Sequence, residues 1–122
     1  MIVLYYVQKV KNINHRRKIY AVSYTHLGAR VVGPNTIGVI SPGKSKLGIM
    51  PDYIYGKGHI GIISRSGTLT HETASNLTFK GFGLSTCVGI GGDSVIGMNH
   101  GDVLELFARD DETDACLLYT SR

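Results

Sequence analysis

Between Gly28 and Ala115 the chain alternates short apolar runs with glycine-bearing turns, and two amphipathic stretches interrupt that alternation. Val31 and Val32 run into Gly33-Pro34-Asn35-Thr36, which reads as a turn. Ile37 to Ile40 is predicted as a short strand closed by a second turn, Ser41-Pro42-Gly43-Lys44, and Leu47 to Met50, with Pro51 onward, as extended chain. Gly56-Lys57-Gly58 looks like a linker into a new unit, whose first strand is the β-branched run His59 to Ile63. Thr68 to Lys80 follows as a helix, with Leu69, Thr73 and Leu77 along one side, Ala74 beside them and Gly81 placed to end it. Ser85 to Ile90 is a second strand closed by Gly91-Gly92-Asp93. Asn99 is suited to cap a second helix, in which Val103, Leu104 and Phe107 form the apolar stripe and Asp102 sits in the favourable first turn. Strand, helix, strand, helix is the rhythm of an α/β sheet rather than of a bundle. It stops where a further strand is expected, although a parallel crossover unit needs more strands and covering helices to bury both faces.

Composition narrows the class without changing that picture. The chain has 122 residues, 43% of them hydrophobic and 18% charged, which allows one small globular domain and excludes disorder, collagen and coiled coil. The apolar run at Met1 to Val7 falls well short of the roughly 20 residues a membrane span needs. Positive charges follow that run instead of leading it, so neither a signal peptide nor a transmembrane helix is expected. Two cysteines, Cys87 and Cys116, in a chain without secretory features point to a reducing compartment.

The net charge of +4 is unevenly spread. Lys9, Lys11, Arg16, Arg17, Lys18 and Arg122 lie outside residues 28–115 with no acid among them, whereas that segment holds seven basic and all nine acidic residues, a net −2. All 16 glycines also fall inside it. The flanks and the centre differ enough to have different origins.

Two flank peptides, Ala21-Val22-Ser23-Tyr24-Thr25-His26-Leu27 and Cys116-Leu117-Leu118-Tyr119-Thr120-Ser121, can be translated from one nucleotide string. The string CTGTCTCTTATACACATCT, with one base before it, reads GCT GTC TCT TAT ACA CAT CT and gives the first; shifted by one base it reads TGT CTC TTA TAC ACA TCT and gives the second. It is similar to a transposon end used to build sequencing libraries. Residues 1–27 are therefore expected to be a non-native, chimeric flank and 116–122 an adapter-like one, with the coding fragment between them. The basic run at Arg16, Arg17 and Lys18 then says nothing about nucleic acid, and such scars stand outside fold reasoning.

The most informative element is Ile62-Ile63-Ser64-Arg65-Ser66-Gly67-Thr68-Leu69-Thr70-His71-Glu72, a strand running through a hydroxyl-rich glycine turn into a helix. A helix start offers unsatisfied N–H groups and the positive end of a dipole, so hydroxyls and a glycine there suit a phosphate or carboxylate. Capping of the helix by Ser66 or Thr68 explains the same pattern. No Walker lysine follows the glycine, so this is not a P-loop. His71 lies one turn into the helix, where its side chain leans back over the first turn toward any bound anion. It has no second ligand at metal-binding spacing, and His59 and His100 form no cluster with it, so no metal site is expected. Val88-Gly89-Ile90-Gly91-Gly92-Asp93 ends the second strand at the carboxyl edge, where open α/β sheets bind ligands. It lacks the third glycine of a dinucleotide fingerprint and reads equally as a tight turn. Cys87 is expected to be buried within its strand. Asp110-Asp111-Glu112-Thr113-Asp114 reads as a solvated loop.

In order and spacing, Gly33-Pro34-Asn35-Thr36, Ser41-Pro42-Gly43-Lys44, Leu47-Gly48-Ile49-Met50-Pro51, Ser64-Arg65-Ser66-Gly67-Thr68-Leu69-Thr70 and Ser85-Thr86-Cys87-Val88-Gly89-Ile90-Gly91-Gly92-Asp93 together resemble the alpha subunit of succinyl-CoA synthetase, or succinate–CoA ligase. The resemblance covers residues 28–115. It implies an α/β chain in which residues 28–57 are the end of a CoA-binding Rossmann domain with its linker. Residues 58–115 would be the start of a flavodoxin-like ligase domain, both domains being incomplete. That family joins succinate to coenzyme A using ATP or GTP, through succinyl phosphate and a phosphohistidine, in the tricarboxylic acid cycle. Its partner is a beta subunit, in a heterodimer or heterotetramer, through which Mg2+ is supplied; nucleic acid and membrane are not partners. Its compartment is the cytoplasm of bacteria and archaea or the mitochondrial matrix.

By the same resemblance Ser64, Ser66, Gly67 and Thr68 face the phosphate. His71 stands at a substrate-side tyrosine position, and Asn35 and Thr36 border the CoA pocket, Thr36 where many members carry cysteine. Ser94 replaces the usual proline after Gly-Gly-Asp, and Asn99-His100-Gly101 departs from a more apolar helix start. The phosphorylated histidine, its supporting glutamate and the glycine-rich CoA pyrophosphate loop match nothing here, so no catalytic residue is assigned and the chain is expected to be inactive alone. Malate–CoA ligase and ATP-citrate lyase share the scaffold, and Asp110-Asp111-Glu112-Thr113 with Ser41-Pro42-Gly43-Lys44 keeps the malate enzyme open. A non-catalytic CoA- or nucleotide-binding module is the reading from a different class.

Overall fold

The computed structural model describes residues 2–4 and 29–120, so the peptide at 21–27 and the basic run at 16–18 lie outside the described residues. Strands β1 (Ile2–Leu4) and β2 (Arg30–Val32) pair in parallel as a two-stranded sheet. The main sheet has five strands: β3 (Gly38–Ser41), β4 (Ser45–Gly48), β5 (Lys57–Ser64), β6 (Leu84–Gly89) and β7 (Ala115–Tyr119), in the order β4-β3-β6-β5-β7. β5 pairs in parallel with β6 on one side and β7 on the other, and the β3–β4 hairpin joins the free edge of β6 antiparallel, with Val39 opposite Val88 and Ile40 opposite Cys87. Helix α1 (Gly67–Phe79) connects β5 to β6, and α2 (His100–Phe107) lies between β6 and β7.

The core follows from the two-residue period of the strands. Ile62 and Cys87 face one side, where Ile40, Met50, Tyr55, Leu84 and Ala74 of α1 complete a buried cluster. Ile63 and Val88 face the other, with Val32, Ile90, Met98 and Val103 and Phe107 of α2. α1 meets the sheet through a fully buried alanine, α2 through a phenylalanine, and Gly61 makes room for it: a Cβ there would lie 2.6 Å from the Phe107 ring.

Most expected elements appear within two residues of their predicted bounds. Leu104 is the exception within α2: it is 36% exposed, and Leu106 packs partly against the core in its place. Two pairings lie beyond the local pattern. The segment 38–48, expected with the CoA-binding unit, hydrogen-bonds into the same sheet as β5 to β7. The run after Asp114 forms β7 along the otherwise open edge of β5; a short apolar run satisfies a strand edge whatever its origin. Its side chains are only exposed or half-buried, unlike those of β6. Among the described residues no helix is long and apolar enough to cross a membrane.

Candidate functional site

Three loops converge where the parallel strands end. The first is the bend between β5 and α1, whose hydroxyls hold it closed from within. The Ser64 hydroxyl donates to the Ser66 carbonyl at 3.0 Å and accepts the Ser66 N–H at 3.1 Å, and Ser64 is only 1% exposed. Ser64 is thus committed to the bend itself. The Ser66 hydroxyl caps α1 by accepting the Leu69 N–H at 3.4 Å, while the Ser66 carbonyl takes both the N–H and the hydroxyl of buried Thr70. Beyond these bonds, the amides of Gly67 and Thr68 donate to no group among the described residues. Thr68 is exposed, and no acidic residue stands in the first turn. These amides and the dipole behind them form a cradle for negative charge.

The second loop follows β6. Gly91 has φ +92, a conformation open to glycine and strained for other residues, and a Cβ there would sit 2.7 Å from the Asn35 carbonyl oxygen. Arg65, which gave no signal in the sequence, ties this loop to the first: its Nε donates to Gly91 O at 3.2 Å, and its terminal nitrogen to Gly92 O at 3.2 Å and Asp93 O at 2.8 Å. A guanidinium with its fixed fork of donors suits three successive carbonyls. Nothing near Arg65 in sequence announces acceptors 26 to 28 positions away.

The third loop enters β3. Asn35 is exposed, whereas Thr36 is buried, its hydroxyl donating to Gly89 O and accepting the Gly38 N–H at 2.9 Å. Thr36 therefore pins its loop to the end of β6. Ile37 fills the space left by two glycines: a Cβ on Gly67 or on Gly89 would lie 2.8 Å from its side chain. The structure thus gathers Asn35, Thr36, Ser64, Ser66, Gly67 and Thr68 at one edge.

His71 lies farther along α1 and is half-buried. Its Nδ1 is 2.7 Å from the hydroxyl of Tyr55, and the rings meet edge to face with centroids 6.0 Å apart. Tyr55, which the sequence pattern did not single out, is 4% exposed, and burial pushes its phenol above the ordinary tyrosine range, with neighbouring Cys87 adding to the effect. Burial pushes the Cys87 thiol up to about 12, so it is an inert core group. His59 and His100 are elsewhere: the first touches Glu112 and Asp114, the second the Tyr119 carbonyl. Among the described residues no three His, Cys, Asp or Glu side chains are grouped to hold a metal ion.

A family model, the succinyl-CoA ligase like flavodoxin domain, matches residues 57–122. The alpha subunit of the ADP-forming succinate–CoA ligase from Methanothermobacter thermautotrophicus is 60% identical over 94 residues, which are 77% of this chain and 32% of that protein. Its counterpart from Aquifex aeolicus is 59% identical over 90 residues, 74% of this chain and 30% of that protein. The chain thus spans about a third of the length of the curated relatives it matches. Two solved structures share the fold. ATP citrate lyase from Methanothrix soehngenii, in complex with citrate and coenzyme A, superimposes with a TM-score of 0.80 at 24% identity, covering 96% of this chain and 20% of that one. A dinucleotide-forming acetyl-coenzyme A synthetase from Ca. Korarchaeum cryptofilum, in complex with phosphate and ADP, gives 0.79 at 21%, covering 99% and 26%.

Proposed function

The chain belongs to the family of the succinyl-CoA ligase like flavodoxin domain, and we propose that it is part of the alpha subunit of a succinate–CoA ligase. The intact enzyme would form succinyl-CoA from succinate and coenzyme A with ATP or GTP, through succinyl phosphate and a phosphohistidine. One observation supports this best: the open N-terminus of α1, whose Gly67 and Thr68 amides point a helix dipole at the carboxyl edge of the sheet. That is where a phosphohistidine and an acyl phosphate need stabilisation. Gly67 and Thr68 contact the phosphate through their amides; Ser66 sets the helix start, and Ser64 keeps the bend in shape. His71 stands on the substrate side. Asn35, exposed beside Gly91, borders the CoA pocket, and Thr36 fixes that border by its bond to Gly89.

On this reading residues 28–57 are the end of the CoA-binding Rossmann domain and donate the β3–β4 hairpin to the ligase sheet, while residues 58–115 begin the flavodoxin-like domain. The partner is a beta subunit, through which Mg2+ is supplied, in the cytoplasm or the mitochondrial matrix. Residues 1–27 are a non-native flank, with adapter sequence at 21–27 after an unrelated stretch, 116–122 are adapter-like, and the 122-residue chain does not turn over. Three experiments test this. Resequencing the gene across both junctions should recover a coding sequence that runs uninterrupted through residues 27/28 and 115/116; the adapter codons found in native flanking DNA would refute the chimera. Mixing the chain with a beta subunit and radiolabelled ATP or GTP should leave it unlabelled. Titration with inorganic phosphate should shift the Gly67 and Thr68 amide resonances; silence there would refute the anion site.

A further inference from the structure

The contact between Tyr55 and His71 fixes which ring nitrogen carries the proton. Tyr55 is only 4% exposed, and the His71 Nδ1 at 2.7 Å is its hydroxyl's one hydrogen-bond partner among the described residues. A buried O–H left without an acceptor costs about 1–3 kcal/mol. If Nδ1 carried a proton of its own, it would donate to the phenol oxygen and the phenol proton would have no acceptor. The arrangement that satisfies both groups has Tyr55 donating and Nδ1 accepting, which leaves the proton of the neutral imidazole on Nε2. No described residue accepts from Nε2.

We propose that Tyr55 is a positioning residue which locks His71 as the Nε2–H tautomer, so that the imidazole offers a hydrogen-bond donor, and not a base, to an oxyanion next to the α1 cradle. This rests on the reading that His71 lies on the substrate side. The ligand class is a carboxylate or an acyl phosphate, whose oxygens accept. Tyr55 holds the ring from below: it sits in the cluster of Ile62, Ala74 and Cys87, between the sheet and α1, while His71 reaches out from that helix. The same bond limits rotation of the ring about its long axis. A side chain restrained in both tautomer and orientation loses less freedom when a ligand arrives.

The test is long-range nitrogen–proton NMR on the full 122-residue chain with labelled histidine, the His71 signals being those lost in His71→Gln. Expected is an acceptor-type Nδ1 coupled across the hydrogen bond to a slowly exchanging Tyr55 hydroxyl proton, and a protonated Nε2. Tyr55→Phe, which keeps the ring and removes the hydroxyl, should abolish that coupling and mix the two tautomers. A protonated Nδ1 in the native chain overturns the inference, as does an unchanged single tautomer in Tyr55→Phe. Succinate added to the native chain separates the two levels of the argument. A response at Nε2–H supports the donor role, whereas a locked tautomer that ignores succinate and inorganic phosphate overturns the substrate-side reading and leaves the positioning by Tyr55 intact.

Discussion

The two helices begin at the same edge of the sheet and finish their first turns in opposite ways. α2 is closed: Asn99 accepts the Asp102 N–H at 3.1 Å, Asp102 accepts the Asn99 N–H at 2.8 Å, and the Asp102 carboxylate lies against the positive end of the dipole. α1 has a single cap at 3.4 Å and no acid in its first turn. A helix start that is already neutralised has no further use for an anion, whereas one left electropositive still favours negative charge. Their inner faces differ in the same sense. α2 is anchored by a phenylalanine, while α1 rests on an alanine and carries a buried threonine whose hydroxyl serves the bend.

The largest expected effect breaks the anchoring half of that contrast. Phe107→Ala removes a buried ring that fills the space over Gly61 and should cost about 3–5 kcal/mol. Ala74→Leu in α1 fails in the other direction, by forcing volume into a close contact with the sheet, and should cost about 1–3 kcal/mol. Urea unfolding of the two variants measures both. Equal losses would mean that the helices are held alike.

The caps come next. Asn99→Ala removes the acceptor of a reciprocal pair and should cost about 1 kcal/mol, more than Ser66→Ala, whose longer bond places it near 0.5 kcal/mol. The sharper readout is phosphate affinity. Ser66→Ala frees the Leu69 amide without adding charge, so binding at α1 should be retained, and Asn99→Ala should create none at α2 because Asp102 remains. Phosphate binding lost in Ser66→Ala would make the Ser66 hydroxyl itself the ligand.

Local signals account for what was legible in the sequence. Gly81 after an amphipathic run, Asn99 three residues before Asp102, and a Ser-x-Ser-Gly bend after a β-branched strand each determine their neighbours' backbone, and the two helices with strands β5 and β6 fall where those signals put them. The candidate anion site was readable for the same reason, since it is one bend. What escaped depends on distant partners. Arg65 looks like any surface arginine until the loop after β6 folds over it, and Tyr55 looks like a core aromatic until α1 brings His71 to its hydroxyl. Leu104 fits the helical period but is 36% exposed and stands outside the cluster that holds Val103 and Phe107. The antiparallel pairing of β3 with β6 is likewise written in no local run.

The smallest effect on stability is the most informative about the contrast itself. Thr68 is exposed at the second residue of α1, within the first turn, where a carboxylate complements the dipole. Thr68→Asp gives α1 the acid that α2 has in Asp102, so the variant should gain about 0.3–1 kcal/mol in urea unfolding at low ionic strength, the gain shrinking as salt screens it. The same carboxylate occupies the place of the anion, and phosphate should no longer shift the Gly67 amide. Asp102→Asn runs the exchange backwards in α2: stability should fall by a similar amount, and with the acid gone and Asn99 covering only the third amide, as Ser66 does in α1, phosphate should begin to shift the His100 and Gly101 amides. Stability and anion affinity moving in opposite directions in Thr68→Asp is the mark of a helix start left open for a ligand. If both rose, or if neither moved, the difference between the two helix starts would be one of capping alone.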